Sequence, residues 1–119
     1  MTLYRYKGIA PSVGQGSYIA DSADVIGKTY IGKNVSLWFQ VVARGDVNEI
    51  YIGDNCNIQD LSMLHVVEDI PLIIKENVSV GHKVTLHACT IEEGCLIGMG
   101  STILDGAVIG KNSLVAAGS

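Results

Sequence analysis

The 119-residue sequence has few proline, aromatic and basic residues: 2 Pro, 1 Phe and 1 Trp, with 8 Lys and Arg against 12 Asp and Glu. A net charge of −4 with no Lys/Arg cluster argues against a nucleic-acid surface, since little would neutralise the phosphates. No run approaches the roughly 18 apolar residues of a membrane span, and the first residues lack a signal-peptide apolar segment. Three cysteines without a CxxC spacing suit a reducing compartment. We therefore expect a soluble, cytoplasmic protein that binds neither nucleic acid nor membrane.

The sequence is rich in aliphatic residues, and these recur every six positions. The series consists of Ile19, Val25, Ile31, Leu37, Ala43, Ile52, Ile58, Leu64, Ile74, Val80, Leu86, Ile91, Ile97, Ile103, Ile109 and Val115. Many of them precede glycine, which lets the chain turn at little steric cost. Three units of six residues make one coil of a triangular prism with an aliphatic axis. The pattern predicts an all-β parallel β-helix rather than a sandwich, whose turns would recur every 8–12 residues or so.

Two insertions interrupt the series, three extra residues after Ala43 and four after Leu64. Each must protrude from a corner of the prism, and loops on a rigid scaffold commonly carry function. We divide the single domain, residues 1–119, into an N-terminal lead-in (1–16) and the hexapeptide coils (17–119). Cys56 and Cys95 fall two coils apart, beyond the reach of a disulfide, so we interpret all three cysteines as small core or turn residues.

The three histidines of the chain occupy related positions on the predicted prism. One coil of eighteen residues plus the four inserted residues places His87 directly over His65. Neighbouring strands lie about 4.8 Å apart, so both imidazoles can reach one metal at about 2.1 Å. His82 lies on the preceding face of the same coil, so one prism cannot easily bring it to that metal. A neighbouring prism related by threefold symmetry could, which suggests a trimer with a metal at each subunit interface. The alternative is that all three are ordinary surface or hydrogen-bonded histidines.

Longer motifs resemble the γ-class carbonic anhydrases, namely ARGDVNEIYIGDNCNIQD, MLH and SVGHKVTLHACTIEEGCLIGMGSTILDGAVIG. The resemblance extends from about Tyr4 to Ser119 and is to the shorter members, which lack a long acidic loop. It implies a single-stranded left-handed β-helix that forms a homotrimer with a metal at each subunit interface. His65, His82 and His87 are the implied ligands. The metal is expected to be Zn²⁺, with Fe²⁺ and Co²⁺ as alternatives because three imidazoles suit all of them.

The resemblance also implies roles for four other residues. Gln59 orients the metal-bound water or hydroxide near Asn57. Arg44 and Asp46 form a charged pair across the subunit interface, near the bicarbonate site, or serve only to fix the register of the trimer. The implied activity is reversible hydration of CO₂ to bicarbonate by a metal-bound hydroxide, the reaction of a carbonate dehydratase-type lyase.

Several features depart from that family. Val47 stands where the active prototype carries a Glu, and the acidic loop with the proton-shuttle Glu is missing. The sequence ends at SLVAAGS, one strand into a new coil, so we expect the C-terminal coil and helix of relatives to be lacking. Weak or cryptic activity is therefore compatible with the sequence. Two other functions stay open: a hexapeptide-repeat acyltransferase using acetyl- or acyl-CoA, and a non-catalytic, metal-stabilised trimeric scaffold.

Overall fold

A computed structural model describes residues 2–119, which form sixteen short β-strands. The strands are Thr2–Tyr4 (β1), Ser12–Val13 (β2), Tyr18–Ile19 (β3), Asp24–Ile31 (β4), Ser36–Leu37 (β5), Val42–Ile52 (β6), Asn57–Ile58 (β7), Met63–His65 (β8), Leu72–Ile74 (β9), Ser79–Val80 (β10), Thr85–His87 (β11), Thr90–Ile91 (β12), Leu96–Ile97 (β13), Thr102–Ile103 (β14), Val108–Ile109 (β15) and Leu114–Val115 (β16). Within residues 2–119 no helix is long and apolar enough to cross a membrane.

The strands stack as coils around a three-faced prism. All pairings between the named strands are parallel, and each joins one coil to the next. One six-stranded sheet, from β3 to β16, forms one face of the prism. The other two faces belong to one ten-stranded sheet, because β4 and β6 continue around the corner between them. The result is a left-handed parallel β-helix of about six turns, which confirms the predicted fold.

The predicted aliphatic positions form three columns along the prism axis. The first column contains Val25, Ala43, Leu64, Leu86 and Ile103; the second contains Ile31, Ile52, Ile74, Ile91 and Ile109; the third contains Ile19, Leu37, Ile58, Val80, Ile97 and Val115. All are buried except Ile109 and Val115, which pack partly buried against the core. Burying one such side chain stabilises the fold by about 1.5–3 kcal/mol, so these columns supply most of the driving force.

The glycine that follows an aliphatic residue is required by the close approach of neighbouring coils. A Cβ on Gly53 would lie 2.7 Å from the backbone nitrogen of Glu76 in the next coil. The left-handed backbone conformation falls instead on the third residue after the aliphatic one, as at Asn34 (φ 55°) and Asn55 (φ 60°). Asparagine tolerates this conformation better than most residues. The expectation that this glycine makes the turn is therefore wrong.

Both insertions protrude at the corner between the first and second columns. The first is a bulge over residues 46–49, where the register between β4 and β6 shifts. The second is a tight turn closed by an antiparallel bridge between Val67 and Ile70. The side-chain amide of Asn48 donates a hydrogen bond of 2.9 Å to the backbone oxygen of Glu68. The two insertions are thereby joined into one raised corner.

Strand pairing begins inside the segment that the sequence analysis sets aside as a lead-in, residues 1–16. Strands β1 and β2 pair in parallel with β4, with Leu3 opposite Val25 and Val13 opposite Ile31. Leu3 and Val13 are exposed because they lie in the end coil, which weakens the repeat pattern there. The first coil therefore starts before the boundary predicted at residue 17.

The columns predict which leucines matter for stability. Leu37 is fully buried, whereas Leu96 faces outward and is 44% exposed. Leu37→Ala should lower the free energy of unfolding by about 2–5 kcal/mol because it leaves a cavity. Leu96→Ala should lower it by less than about 1 kcal/mol. Denaturant unfolding followed by circular dichroism measures both; equal losses would contradict the assignment of the axis.

The three cysteines are buried free thiols, as the sequence predicts. Burial raises the pKa of Cys56 and of Cys89 to about 11, above the ordinary value of 9.0. A folded-state pKa above the unfolded one gives stability that is complete below pH 9 and is lost as pH rises towards 11. Urea unfolding at pH 8 to 11 should therefore show a smaller stability loss in the Cys56→Ala/Cys89→Ala variant than in the wild type. Parallel losses would contradict this effect.

Candidate metal centre

His65 and His87 stack on neighbouring coils, as predicted. They end β8 and β11 and are paired in the strand register. Each follows a buried leucine of the first column, and alternation along a strand turns the next side chain outward. Nδ1 of His65 lies 3.1 Å from Nε2 of His87, and the ring centroids are 5.1 Å apart. The coil register therefore creates a pair of imidazoles with facing nitrogens.

Two carboxylates flank this pair. Asp46 Oδ1 lies 3.0 Å from Nε2 of His65, and Asp105 Oδ1 lies 2.5 Å from Nδ1 of His87. Because ionised carboxylates only accept hydrogen bonds, the two ring nitrogens facing them carry protons. In neutral imidazoles the two nitrogens that face each other then both present lone pairs. Lone pairs 3.1 Å apart repel unless a cation, either a proton or a metal ion, lies between them.

The spacing of the pair suits a divalent metal. Two nitrogen ligands at about 2.1 Å from a tetrahedral metal are roughly 3.4 Å apart, close to the 3.1 Å between the facing nitrogens. Within residues 2–119, however, no three His, Cys, Asp or Glu side chains are arranged around one metal position. The histidines and carboxylates form a line instead. The pair fits two ligand positions, and a further ligand has to come from outside this cluster.

Arg44 and Asp46 lie beside the pair. Arg44 stands one coil before His65 and donates a hydrogen bond from Nη1 to Oδ2 of Asp46. Burial raises the pKa of Asp46, but hydrogen bonds from the Val47 backbone, His65 and Arg44 outweigh it and hold the pKa below its usual value. The contact occurs within one chain, so pairing across a subunit interface stays a prediction.

The remaining predicted site residues form a second group, on the six-stranded sheet and the corner after it. The Gln59 side chain donates to Oδ1 of Asn57 at 3.0 Å, and Asn57 donates to Ser79 at 2.8 Å. His82 lies in the turn after β10 and is 51% exposed. Its Nδ1 lies 3.1 Å from Oδ1 of Asp60. Within a single chain, Asn57, Gln59 and His82 therefore lie apart from the stacked His65–His87 pair.

Sequence reasoning missed the carboxylate partners of two histidines, Asp60 and Asp105. Asp60 is the last residue of the motif ARGDVNEIYIGDNCNIQD and has no predicted role there. Asp105 follows the residue one coil beyond His87, because Leu86 pairs with Ile103. Counting one coil onward from His87, as from His65 to His87, leads to the corner that contains Asp105.

A groove of about 370 Å³ lies next to Asp46, at the raised corner. Its lining includes Lys7, Lys28, Val47 and Glu68. Val47 is 50% exposed. A longer side chain at position 47 would therefore have access to both the groove and solvent.

Comparisons with known proteins identify similar sequences and folds. The bacterial transferase hexapeptide family (six repeats) matches residues 88–119. "Gamma carbonic anhydrase 1, mitochondrial" of Arabidopsis thaliana is 46% identical over 99% of this chain and 45% of its own length. A carbonic anhydrase of Geobacillus kaustophilus is 47% identical over 92% of this chain and 60% of its own length. The crystal structure of a hexapeptide transferase family protein from Anaplasma phagocytophilum has a TM-score of 0.80 and 37% identity, covering 99% of this chain and 73% of that one.

The curated relatives are longer than this chain, which spans about half of their length. The match nevertheless covers 99% of the chain. The repeat, the left-handed coil and the identity to proteins of this kind agree with one another. The chain belongs to the γ-carbonic anhydrase-like family of hexapeptide-repeat proteins.

Proposed function

We propose that the chain is a γ-carbonic anhydrase-like metalloprotein that hydrates CO₂ reversibly. The observation that carries the proposal is the His65–His87 pair, whose facing nitrogens lie 3.1 Å apart, close to the spacing of two imidazole ligands on one metal ion. Relatives named carbonic anhydrases support the same reaction. Zn²⁺ is the proposed ion, with Fe²⁺ and Co²⁺ as alternatives for an imidazole site.

The separation of the two groups within a chain supports a threefold assembly. His65 and His87 supply two ligands, and His82 of a neighbouring subunit supplies the third. His82 is half exposed and so is available to another chain. The same contact would bring Gln59 and Asn57 of that neighbour to the metal centre, because Asn57 begins β7 and Gln59 follows that strand, directly before Asp60, the partner of His82.

The side chains of this site have distinct proposed tasks. A metal held by these imidazoles would activate water near neutral pH, because such an ion lowers the pKa of a bound water to about 7. Arg44 is 45% exposed and uses one nitrogen on Asp46, so its other donors are available to bicarbonate. Asp46 holds His65 in place, and the Gln59 amide orients the water.

The reduced thiols suit the cytoplasm, which is our proposed location.

Acyl transfer is the second candidate function. Asp105 and His87 have the geometry of a general base and the group that orients it. The matching transferase repeat family favours this candidate. Against it, neither the groove of about 410 Å³ beside Tyr30 and Tyr51 nor the groove of about 370 Å³ beside Asp46 has a histidine among the described residues that line it. A non-catalytic scaffold is the third candidate.

Metal content and native mass test the interfacial site. The wild type should form a trimer with about one metal per chain, and His82→Ala and His87→Ala should each lose most of it. Co-refolding these two variants in equal amounts should restore about a quarter of the metal, since one interface in four then pairs two intact groups in a random cyclic trimer.

A matched control uses His65, which stacks with His87 in the same chain. Mixing His65→Ala with His87→Ala damages the same group in every chain and should restore nothing. Metal content that is indifferent to His82→Ala would rule out the shared site. No restoration in the first mixture would place all ligands in one chain.

CO₂ hydration by the metal-loaded protein tests the activity. Val47→Glu adds a proton-transfer group beside the site, a kind of group that typically contributes about 10²–10⁴-fold when well positioned. We expect a gain of about tenfold in kcat, because position 47 is half exposed and the added Glu will be mobile. Val47→Gln introduces a side chain of the same size as Glu that cannot transfer a proton, so it should give no gain in kcat in stopped-flow assays. A metal-loaded trimer that hydrates no CO₂ in either form would favour the scaffold.

A further inference from the structure

All three histidines contact an aspartate, and the contact between Asp105 and His87 is the shortest of the three. Oδ1 of Asp105 is 2.5 Å from Nδ1 of His87, compared with 3.0 Å for Asp46 and His65 and 3.1 Å for Asp60 and His82. Asp105 lies in the turn of the following coil, outside the register pairs of the strands. Its contact is therefore set by the shape of that turn.

The corner after His87 explains how Asp105 comes so close. The series of aliphatic residues is one residue short there, from Leu86 to Ile91. Ala88 takes up the tight corner, fully buried and with φ at 48°. Its carbonyl accepts a hydrogen bond of 2.8 Å from the backbone of Gly106. Asp105, which precedes Gly106, is thereby held against the imidazole.

The contact determines which nitrogen of His87 is available to a ligand. A carboxylate at Nδ1 keeps the proton on that nitrogen and leaves the lone pair on Nε2. Nε2 is the atom that faces His65 at 3.1 Å. With the other tautomer, a proton on Nε2 would occupy the space between the two rings and exclude a metal.

We propose that Asp105 is a positioning residue that fixes the tautomer of His87 for metal binding. The inference rests on the metal centre proposed above and deepens it. Outer carboxylates of this kind typically change metal affinity by about 10–100-fold when removed. Asp105 is 45% exposed, so it can be replaced without emptying the core.

The test uses Asp105→Asn, which keeps the size of the side chain but allows its amide to donate to Nδ1. Asp69→Asn is the matched control, since it removes the same charge from an exposed turn. We expect Zn²⁺ affinity, measured by chelator competition, to fall about 10–100-fold in Asp105→Asn and to stay unchanged in Asp69→Asn. Circular dichroism melts verify that both variants fold.

A second readout is independent of the metal. Correlation spectra of ¹⁵N-histidine-labelled, metal-free protein report the tautomer of each ring. We expect the Nδ1–H form of His87 in the wild type and a shift towards Nε2–H in Asp105→Asn. Unchanged affinity, or weaker affinity with an unchanged tautomer, would overturn the inference. If the wild type binds no Zn²⁺, the proposed function fails, and the tautomer comparison still decides the role of Asp105.

Discussion

The stacking of each coil directly upon the next is the constraint on which the rest of the structure depends. Backbone hydrogen bonds, such as that from Ala88 to the carbonyl of His65 (3.0 Å), join neighbouring coils at a spacing of about 4.8 Å. Aliphatic side chains in the three columns then pack against the aliphatic side chains of the coils above and below. With the register fixed by both effects, a residue's position is set by counting, and His87 has to lie over His65.

Changes of coil length are confined to one corner of this stack. The 46–49 bulge and the Val67–Ile70 turn add residues there, and the coil that contains Ala88 lacks one. Since corner residues lie outside the strand pairing and the columns, such changes leave the core register intact. They alter which side chains from different coils meet. The bulge provides Asp46, and the short coil brings Asp105 against His87.

The sequence predicts what the repeat period controls. The columns, the stacked histidines and the location of both insertions follow from counting aliphatic residues, and the structure confirms them. The period does not determine side-chain contacts in the turns, so the pairing of His82 with Asp60 and of His87 with Asp105 was missed. The role of Gly53 was also misjudged, because the approach of the next coil is a property of stacking and not of local sequence.

A metal shared between chains would link assembly to metal binding, since an ion that binds only the assembled form stabilises it by mass action. That linkage would serve a scaffold as well as an enzyme. A scaffold, however, needs only the three imidazoles. Arg44 is half exposed beside the pair and bonds only Asp46 among residues 2–119, with its other guanidinium donors left over. Because an unused fork of donors beside the proposed metal centre suits a small planar anion such as bicarbonate, Arg44 supports the proposed CO₂ hydration over the scaffold.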